Sequence, residues 1–497
     1  MDKRQSPRMI PLKPASILRD HAHKTVTRSS SRMLHEFIIS QTAALTDEQF
    51  GGQSYKGVPL TKLIEDKVYW QIMDDPEIGE MFRQDPVQVD EPRITSIIRR
   101  KIARLASSPI KYPLRVAKDA LSWLQSILKS GDRKKTDVLI PINQKKYFSY
   151  TARVEEELRG QGIAVRYYAY DRCRREMDVS DPERFVRERR SFPFFWNPAY
   201  YRATIVCRAI DKVHGTWRYH RPEKALVIEG DTAILHITGL VSRMTGCQTR
   251  CLQWGSIGTP VPKTGWRHMP FDRFLAWGEF FRESIEEYNP DMDVRIVGHP
   301  GLEESEHDTP NDGVRDAKDG ASRPVVLFAV QKIMRPFIDE ADLDSFLAAA
   351  IDTARRLPDL TVRIRSHPNY PIPDQVRQKN AALSNIEWHD YFSASLDESL
   401  RGVRACVTIS STLSLEAMHY GAAPLFLKTN AIELHLHRLG HLFRQITDQP
   451  LPHVAEPQDL AAILKSISTS EPKPFRSGIL FGAVGRQAVE NITTELT

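Results

Sequence analysis

Three hydroxyl side chains stand together where an apolar segment of the chain gives way to a helix-like one: Ser410, Ser411 and Thr412. A serine or threonine at such a junction predicts a helix N-cap, and the free amides of residues 413–415, with the helix dipole, would then favour an anion. The hydroxyls add donors, so a phosphate would fit there. The alternative is an ordinary cap that needs no ligand. Glu416, one helical turn later, either accepts from a ribose hydroxyl or is a solvated helix residue.

A histidine followed by proline ends another apolar segment in the same half of the chain. Pro368 restricts His367 to an extended conformation, which would aim the imidazole outward from the strand end. A histidine there can donate a hydrogen bond to a phosphate, or protonate a leaving group if its pKa is near neutral. Lys332 and Arg335 follow a third apolar segment, where they would neutralise a nucleotide or a carboxylate.

Two carboxylates flank a glycine at the end of an apolar segment in the first half, in the order Glu229, Gly230, Asp231. Either acid is a candidate base that would deprotonate the hydroxyl group of an acceptor molecule. Asp231 alternatively caps the helix-like stretch that follows it. Four more residues border the same predicted edge and are either acceptor contacts or parts of turns: Gln253, Trp254, Gly255 and His299.

Short apolar segments alternate with helix-like segments from residue 131 onwards, which predicts α/β domains whose parallel sheets are covered on both faces. One such domain spans 131–301 and a second spans 325–497, and the charged stretch 302–324 between them is typical of a linker. Residues 1–130 form a basic N-terminal extension that we expect to be mainly helical. The candidate residues follow the strands, so they would face a cleft between the two domains.

Basic residues are concentrated in one part of a chain whose formal net charge is only +6. Residues 93–131 hold nine basic residues and a single acidic one, together with isoleucine, leucine and Trp123. They either rest on an anionic membrane surface or form ordinary helices with a solvated basic face. No recognised motif for nucleic-acid binding accompanies the charge, so no nucleic acid is expected as a partner.

Neither a secretory signal nor an apolar run of about 18 residues is found, which favours a cytoplasmic protein, free or peripheral at the inner face of the cell membrane. The five cysteines favour reduced thiols. Cys247 and Cys251 lack the second pair of ligands that a zinc site needs. No metal and no cofactor is therefore expected.

The ordered motifs His367-Pro368 and Ser410-Ser411-Thr412 make residues 131–450 resemble the GT-B glycosyltransferases of bacterial surface polysaccharides. The chain is similar to sialyltransferases, polysialyltransferases and capsular Kdo transferases and, more distantly, to CDP-glycerol glycerophosphotransferases of teichoic-acid synthesis. In the sialyltransferase families the two motifs hold the nucleotide phosphate of CMP-sialic acid. The resemblance implies that role for His367, Ser411 and Thr412.

The same families carry a pair of acids before a glycine in the first domain, and one acid acts as the base. Here Ile228 precedes Glu229, so only the second acid of the pair is kept. The resemblance implies a base at Glu229 or Asp231. The segment after Gln253 and Trp254 is similar to the glycerophosphotransferase segment but has no histidine beside its glycine.

The sequence therefore predicts a GT-B fold, with two doubly wound Rossmann-like domains facing a central cleft. The expected activity is an inverting, metal-independent transfer of a sugar, from a CMP-linked acidic sugar such as sialic acid or Kdo, to a bacterial capsule or other cell-surface glycan. The partners would be the nucleotide-sugar donor and a glycan or lipid-linked acceptor. The alternatives are a CDP-polyol phosphotransferase, a glycosyltransferase or epimerase acting on another nucleotide sugar, and an inactive glycan-binding partner of an export complex.

Overall fold

The computed structural model describes residues 30–84, 89–106, 108–128, 135–230, 232–255, 267–303, 323–335, 337–429, 454–469 and 477–497. Its N-terminal region pairs β1 (Ser54–Tyr55) with β2 (Val58–Pro59) in an antiparallel hairpin. The described part of this region also contains five helices: Ser30–Phe50, Thr61–Met73, Pro76–Arg83, Glu91–Ala103 and Tyr112–Leu128. The expectation of a mainly helical extension is confirmed for the described residues.

The first domain is built on a six-stranded sheet in which every neighbouring pair of strands is parallel. Its strands are β3 (Val138–Ile142), β4 (Val165–Ala169), β5 (Lys224–Ile228), β6 (Gln248–Leu252), β7 (Arg273–Ala276) and β8 (Val294–Ile296). Their order across the sheet is β4-β3-β5-β6-β7-β8. The accompanying helices are Lys145–Gly160, Asp171–Glu176, Pro198–Arg202, Thr204–His220, Ala233–Met244 and Glu279–Tyr288. All five residues of β3 are buried, because helices cover both faces of a parallel sheet.

The second domain repeats this design with another parallel six-stranded sheet. Its strands are β9 (Val325–Ala329), β10 (Thr361–Arg365), β11 (Ile386–His389), β12 (Val403–Thr408), β13 (Ala423–Leu427) and β14 (Val454–Ala455). Their order is β11-β10-β9-β12-β13-β14. The helices are Glu340–Arg356, Asp374–Lys379, Leu396–Leu400, Leu413–His419 and Leu460–Thr469, and the chain ends with Ser477–Leu480 and Gly485–Leu496.

Each sheet has a point at which the direction of its strand order reverses. In the first sheet this point lies between β3 and β5, and in the second it lies between β9 and β12. Loops that leave the two strands at such a point diverge to opposite faces and open a crevice at the carboxyl edge of the sheet, where ligands bind in open α/β folds. Two doubly wound domains of this kind are the architecture that the resemblance implied, so the expected GT-B fold is confirmed.

The two ends of the described chain tie the domains together. In the N-terminal region, helix Thr61–Met73 packs on helix Ala233–Met244 of the first domain, and the Nη2 atom of Arg83 lies 2.8 Å from Asp339 Oδ2 of the second. The last helix packs on helix Lys145–Gly160, and its Glu495 pairs with Arg273.

The C-terminal end of the chain therefore departs from the sequence-based boundaries. We expected the second domain to run from 325 to 497, but helix Gly485–Leu496 returns to the first domain because its apolar face is buried there. Most of the expected linker, residues 304–322, lies outside the described residues. None of the described helices is both long and apolar enough to cross a membrane.

Candidate active site

The first-domain rim, formed by residues 143–147 after β3 and 229–230 after β5, lies at the strand-order reversal of its sheet. Glu229 has a φ of +76° and Gly230 a φ of +73°. The Gly230 amide donates to the Ile228 carbonyl at 3.1 Å, closing a three-residue turn centred on Glu229. Positive φ is unfavourable for a residue with a side chain, so Glu229 is held in a strained conformation. Backbone strain of this kind is concentrated at functional sites.

The Glu229 carboxylate accepts a hydrogen bond from the Tyr147 hydroxyl, and Gln144 Nε2 donates to that hydroxyl at 3.1 Å. The Nζ atom of Lys146 lies 4.6 Å from the centre of the Trp254 ring, whose edge contacts Tyr147. The first-domain rim therefore presents a carboxylate, a cation and an aromatic surface together. Asp231, the other candidate base, lies outside the described residues.

A buried pair braces this turn from behind. His236 Nδ1 lies 2.9 Å from Asp66 Oδ2, and His236 Nε2 lies 3.0 Å from the carbonyl oxygen of Gly230. Both partners of the ring are acceptors, so Nε2–H donates to Gly230 while Nδ1 and the Asp66 carboxylate share a second proton. The N-terminal region thus reaches the turn that holds Glu229.

Sequence reasoning did not identify this brace. Asp66 and His236 are both nearly inaccessible to solvent and are about 170 positions apart. Each is a polar residue within a buried helix face, and that is the only sequence signal that points to them. An isolated histidine in such a setting is more often satisfied structurally than used as a ligand.

The second-domain rim, formed by Gln331, His367 and residues 410–412, lies at the reversal point of the other sheet. Gln331 follows β9, and its side chain bonds to both the amide and the hydroxyl of Ser410 after β12. This bond joins the two strands that flank the reversal. The predicted grouping of these strand ends is therefore what the fold produces.

The hydroxyl cluster differs from the predicted anion site in one respect. Ser411 Oγ accepts from the Leu413 amide at 3.2 Å, Ser411 O from Ser414 N, and Thr412 O from Leu415 N at 2.8 Å. The three amides expected to face a ligand are thus occupied within the turn, and the helix that follows has only seven residues. Ser411 acts as a cap, and the expectation of free amides is wrong because the turn satisfies itself.

Thr412 faces the other domain. Its Oγ1 atom lies 3.7 Å from the position that a Cβ atom on Gly255 would occupy. Gly255 follows β6 of the first domain, so the two rims come close to each other here. Thr412 therefore lies where the second-domain rim comes close to the first domain.

His367 is a neutral hydrogen-bond donor in this structure. Its Nδ1 atom accepts from the Asn369 amide at 3.0 Å, which leaves the ring proton on Nε2. Burial, and then the charges of Lys146 and Lys332, lower the pKa of His367 to about 3. A ring with this pKa is uncharged at neutral pH, which favours the hydrogen-bond donor of the two roles considered for it. The ring can donate a hydrogen bond from Nε2 to an anion. The two lysines that act on it belong to opposite domains, Lys146 to the first and Lys332 to the second.

A cavity of about 370 Å³ lies beside this histidine, between the two domains. The first domain contributes Gln144, Lys145, Lys146 and Glu176, and the second contributes Pro368, Asn369 and Phe392. Lys145 Nζ lies 5.1 Å from the Phe392 ring centre across the cleft. The predicted placement of Pro368 at an interdomain site agrees with this lining.

Arg335 and Glu416 have protein partners. Arg335 pairs with Glu340 at 2.7 Å, so it is directed toward the following helix. Glu416 Oε1 lies 3.5 Å from His299 Nε2, which joins the two domains. A ribose contact for Glu416 would have to share that carboxylate with the histidine.

Two of the expected acceptor contacts are structural. Gln253 is fully buried, and its Oε1 accepts from the Trp277 amide at 2.8 Å. His299 is 3% exposed, and the centre of its ring lies 4.2 Å from the centre of the Trp277 ring. Neither side chain is accessible to an acceptor, because both fill the junction behind the cleft. Trp254 and Gly255 remain at its surface.

A larger cavity, of about 480 Å³, lies at the opposite edge of the first sheet. It is lined by charged residues that are already paired, including Arg273 with Asp293 at 2.9 Å and Arg250 with Glu495 at 3.5 Å. It lies at the amino ends of β6 and β7 and away from both reversal points. We therefore assign the candidate site to the interdomain cleft.

No protein-family model and no curated protein matches the sequence. Solved structures of similar fold include an S. aureus MnaA–UDP co-structure, at 15% identity and a TM-score of 0.48, covering 73% of this chain and 96% of that one. Acinetobacter baumannii MurG matches at 10% identity and a TM-score of 0.47, covering 73% and 99%. The lipopolysaccharide outer core galactosyltransferase WaaB matches at 12% identity and a TM-score of 0.41, covering 72% of this chain and 98% of that one. Such values concern the fold alone, and the site described above rests on its own geometry.

Proposed function

We propose that this protein is an inverting glycosyltransferase that uses a nucleotide sugar and needs no metal ion. The observation that carries the proposal is the meeting of both strand-order reversals at one cleft. A strained, hydrogen-bonded carboxylate and Lys146 lie on one side, and a neutral histidine and Lys332 lie on the other. A base opposite a phosphate site is what an inverting transfer requires.

On the donor side, His367 Nε2 donates to the phosphate of the nucleotide, and Lys146 and Lys332 neutralise its charge. Fixed protein donors of this kind can stabilise a leaving phosphate in the way that a divalent cation does elsewhere. The order of the His367-Pro368 and Ser410-Ser411-Thr412 motifs favours a CMP-linked acidic sugar, such as sialic acid or Kdo. Of the two lysines, one would face the sugar carboxylate.

On the acceptor side, Glu229 removes the proton from the attacking hydroxyl. The acceptor oxygen forms a bond to the anomeric carbon while the bond from that carbon to the phosphate oxygen breaks, and the nucleotide leaves with the electron pair. Attack opposite the leaving group inverts the configuration. Tyr147 orients the carboxylate, and Trp254 offers a flat surface on which a sugar ring can stack.

The proposed acceptor is a capsule or other cell-surface glycan, free or lipid-linked. Such acceptors are assembled at the inner face of the cell membrane, so we place the protein in the cytoplasm and peripheral to that face. Residues 93–131 supply basic charge that attracts anionic lipid.

Thermal unfolding with a panel of CMP, CDP, UDP, GDP and ADP tests the donor assignment, because a ligand that binds only the folded state raises its melting temperature. We expect cytidine nucleotides to stabilise the wild type. His367→Ala should bind them about tenfold or more weakly and lose transfer activity, since a hydrogen bond to a charged group contributes about 1.5–3 kcal/mol. Arg401→Ala is the matched control, because Arg401 is exposed on the same domain and pairs with Asp397.

The outcomes separate the parts of the proposal. Unchanged binding and transfer in His367→Ala would remove the donor site. Stabilisation by UDP or GDP alone would overturn the cytidine assignment and leave the cleft in place. Turnover of a nucleotide sugar without any acceptor would favour the epimerase, transfer of a polyol phosphate would favour the phosphotransferase, and binding without turnover would favour the glycan-binding partner.

A further inference from the structure

Helix Tyr112–Leu128 lies on the first domain by one narrow face. The residues of that face recur every three or four positions, as one side of a helix requires: Tyr112, Val116, Asp119, Trp123 and Ser126. The Tyr112 hydroxyl bonds to the Phe195 carbonyl, and the Trp123 ring lies 5.0 Å from that of Phe192. The helix is therefore attached to the domain and is not an extended tail.

The attachment is polar at its centre. Among the seventeen residues of this helix, all of them described, Asp119 alone is buried. Its carboxylate accepts from the Tyr200 hydroxyl at 2.6 Å and lies 2.9 Å from Arg208 Nε. A helix that packs against a protein core normally turns its apolar side inward. Here the buried side chain is an aspartate.

The outer side of the same segment is apolar and exposed. Ile110 is 86% exposed, Leu114 75% and Leu128 73%, and Leu121 and Leu124 lie between them on the same helical stripe. Phe194 and Trp196, stacked at 5.1 Å, are also exposed, on the neighbouring loop whose Phe192 contacts Trp123. Nine of the thirteen large apolar side chains that are exposed in the described residues lie in 110–128 and 194–205, so the exposure is concentrated in these two segments.

Basic charge flanks the apolar stripe. Lys111 and Lys118 are exposed and Arg115 is half-buried, whereas the one acid within 108–128, Asp119, is buried. The preceding helix is different: Glu91–Ala103 buries its four isoleucines, and its Arg100 pairs with Glu77 at 3.3 Å. The two interpretations of residues 93–131, ordinary packed helices or a membrane-facing segment, thus apply to different halves of the segment. The first half is an ordinary packed helix, and the second half leaves its apolar side open.

We propose that the apolar side of Tyr112–Leu128, with Phe194 and Trp196, docks on the surface of an anionic lipid bilayer. A helix with an apolar stripe and flanking lysines lies in the plane of the interface, with leucine and tryptophan in the acyl boundary and the cations at the headgroups. This deepens the proposed function by naming the surface on which the acceptor is met, and it rests on that function only for the nature of the acceptor.

Sedimentation with lipid vesicles tests the docking. The full-length protein should bind vesicles of phosphatidylcholine mixed with phosphatidylglycerol and bind pure phosphatidylcholine much more weakly. Leu121→Glu should lose most of this binding, while Ala462→Glu, which adds the same charge at an exposed position of helix Leu460–Thr469, should keep it. Replacing Lys111 and Lys118 together by serine should weaken binding roughly 30-fold, because each basic residue near such a surface contributes about 1 kcal/mol.

Equal binding by Leu121→Glu and wild type would overturn the proposal, as would no binding of the wild type to anionic vesicles. If the wild type instead self-associates and Leu121→Glu does not, the apolar side is covered by a second copy and the bilayer is excluded as its partner. The nucleotide melting panel is run on the same preparations. Nucleotide stabilisation without vesicle binding removes only the docking, and vesicle binding without stabilisation removes only the donor assignment.

Discussion

The two rims of the cleft occupy equivalent places in their sheets but are built in opposite ways. The second-domain rim is held by contacts within its own domain: Ser411 caps its own turn, and Gln331 after β9 bonds to Ser410 after the neighbouring strand β12. The first-domain rim is a strained turn at Glu229 and Gly230, held from behind by Asp66 of the N-terminal region. A site for a rigid phosphate group can be made from a short segment and its neighbour, whereas the proposed base depends on a distant part of the chain for its position.

This difference indicates a role for the N-terminal region in the proposed chemistry. The region contacts both domains, and through His236 it reaches the carbonyl group next to the proposed base. Changes to it should alter the first-domain rim and leave nucleotide binding largely intact. Substitutions in the two rims should therefore have different effects.

Gly230→Ala should have the largest effect. Gly230 has a φ of +73°, and a Cβ atom there would overlap Cys251 Sγ and lie 2.9 Å from the Phe271 ring. The conformational cost of about 1 kcal/mol and the overlap in a packed core together should lower the free energy of unfolding by about 3 kcal/mol or more. Urea unfolding measures this loss.

The matched control is Gly421→Ala in the second domain. Gly421 has a φ of +80° with nothing within 4 Å of the added atom, so only the conformational cost of about 1 kcal/mol applies. If both variants lost the same free energy of unfolding, the turn at Gly230 would be no more tightly packed than the open turn at Gly421.

Asp66→Asn should have the next largest effect. It keeps the shape of the side chain but removes the charge that supports the proton shared with His236, at a cost of about 2 kcal/mol. We expect kcat for transfer to fall about tenfold while the KM for the nucleotide sugar and the nucleotide-induced rise in melting temperature stay the same. Steady-state kinetics measures kcat and KM, and a separate melting assay measures nucleotide binding.

The control here is Glu65→Gln, the neighbouring buried acid, which pairs with Lys62 at 2.7 Å and does not contact the turn. Burial raises the pKa of Glu65, so the neutral substitute should be tolerated. A loss of kcat in Glu65→Gln equal to that in Asp66→Asn would show that the rate depends on general stability and not on the brace.

Local pattern predicted much of the fold and part of the site. A buried parallel strand such as β3 is a continuous apolar run, and polar residues follow the ends of such strands. His367 after β10 and Thr412 after β12 fit this pattern, and their roles stay predictions. The sequence did not predict that the helix amides bond within their own turn or that Gln253 is buried, because both depend on contacts that form only in the folded protein.

The Asp66–His236 brace could not be found for the same reason. Its partners are distant in sequence, and neither belongs to a motif. Helix Thr204–His220 was also missed, because its apolar residues are mixed with basic ones that lie at the surface of the domain.

The smallest expected effect is a dependence of stability on pH at the second-domain rim. The pKa of His367 is lowered to about 3 in the folded protein, against about 6.5 when unfolded. Between these values the unfolded chain binds a proton that the folded protein does not, so the free energy of unfolding falls as the pH drops below about 6.5. Between pH 7 and pH 5, His367→Gln should lose about 1 kcal/mol less stability than the wild type, allowing for water near the half-buried ring. Urea unfolding at the two pH values measures this difference. An identical loss in both proteins would mean that the ring is hydrated and remote from Lys146 and Lys332, and the second-domain rim would then lack the charge arrangement that the donor site requires.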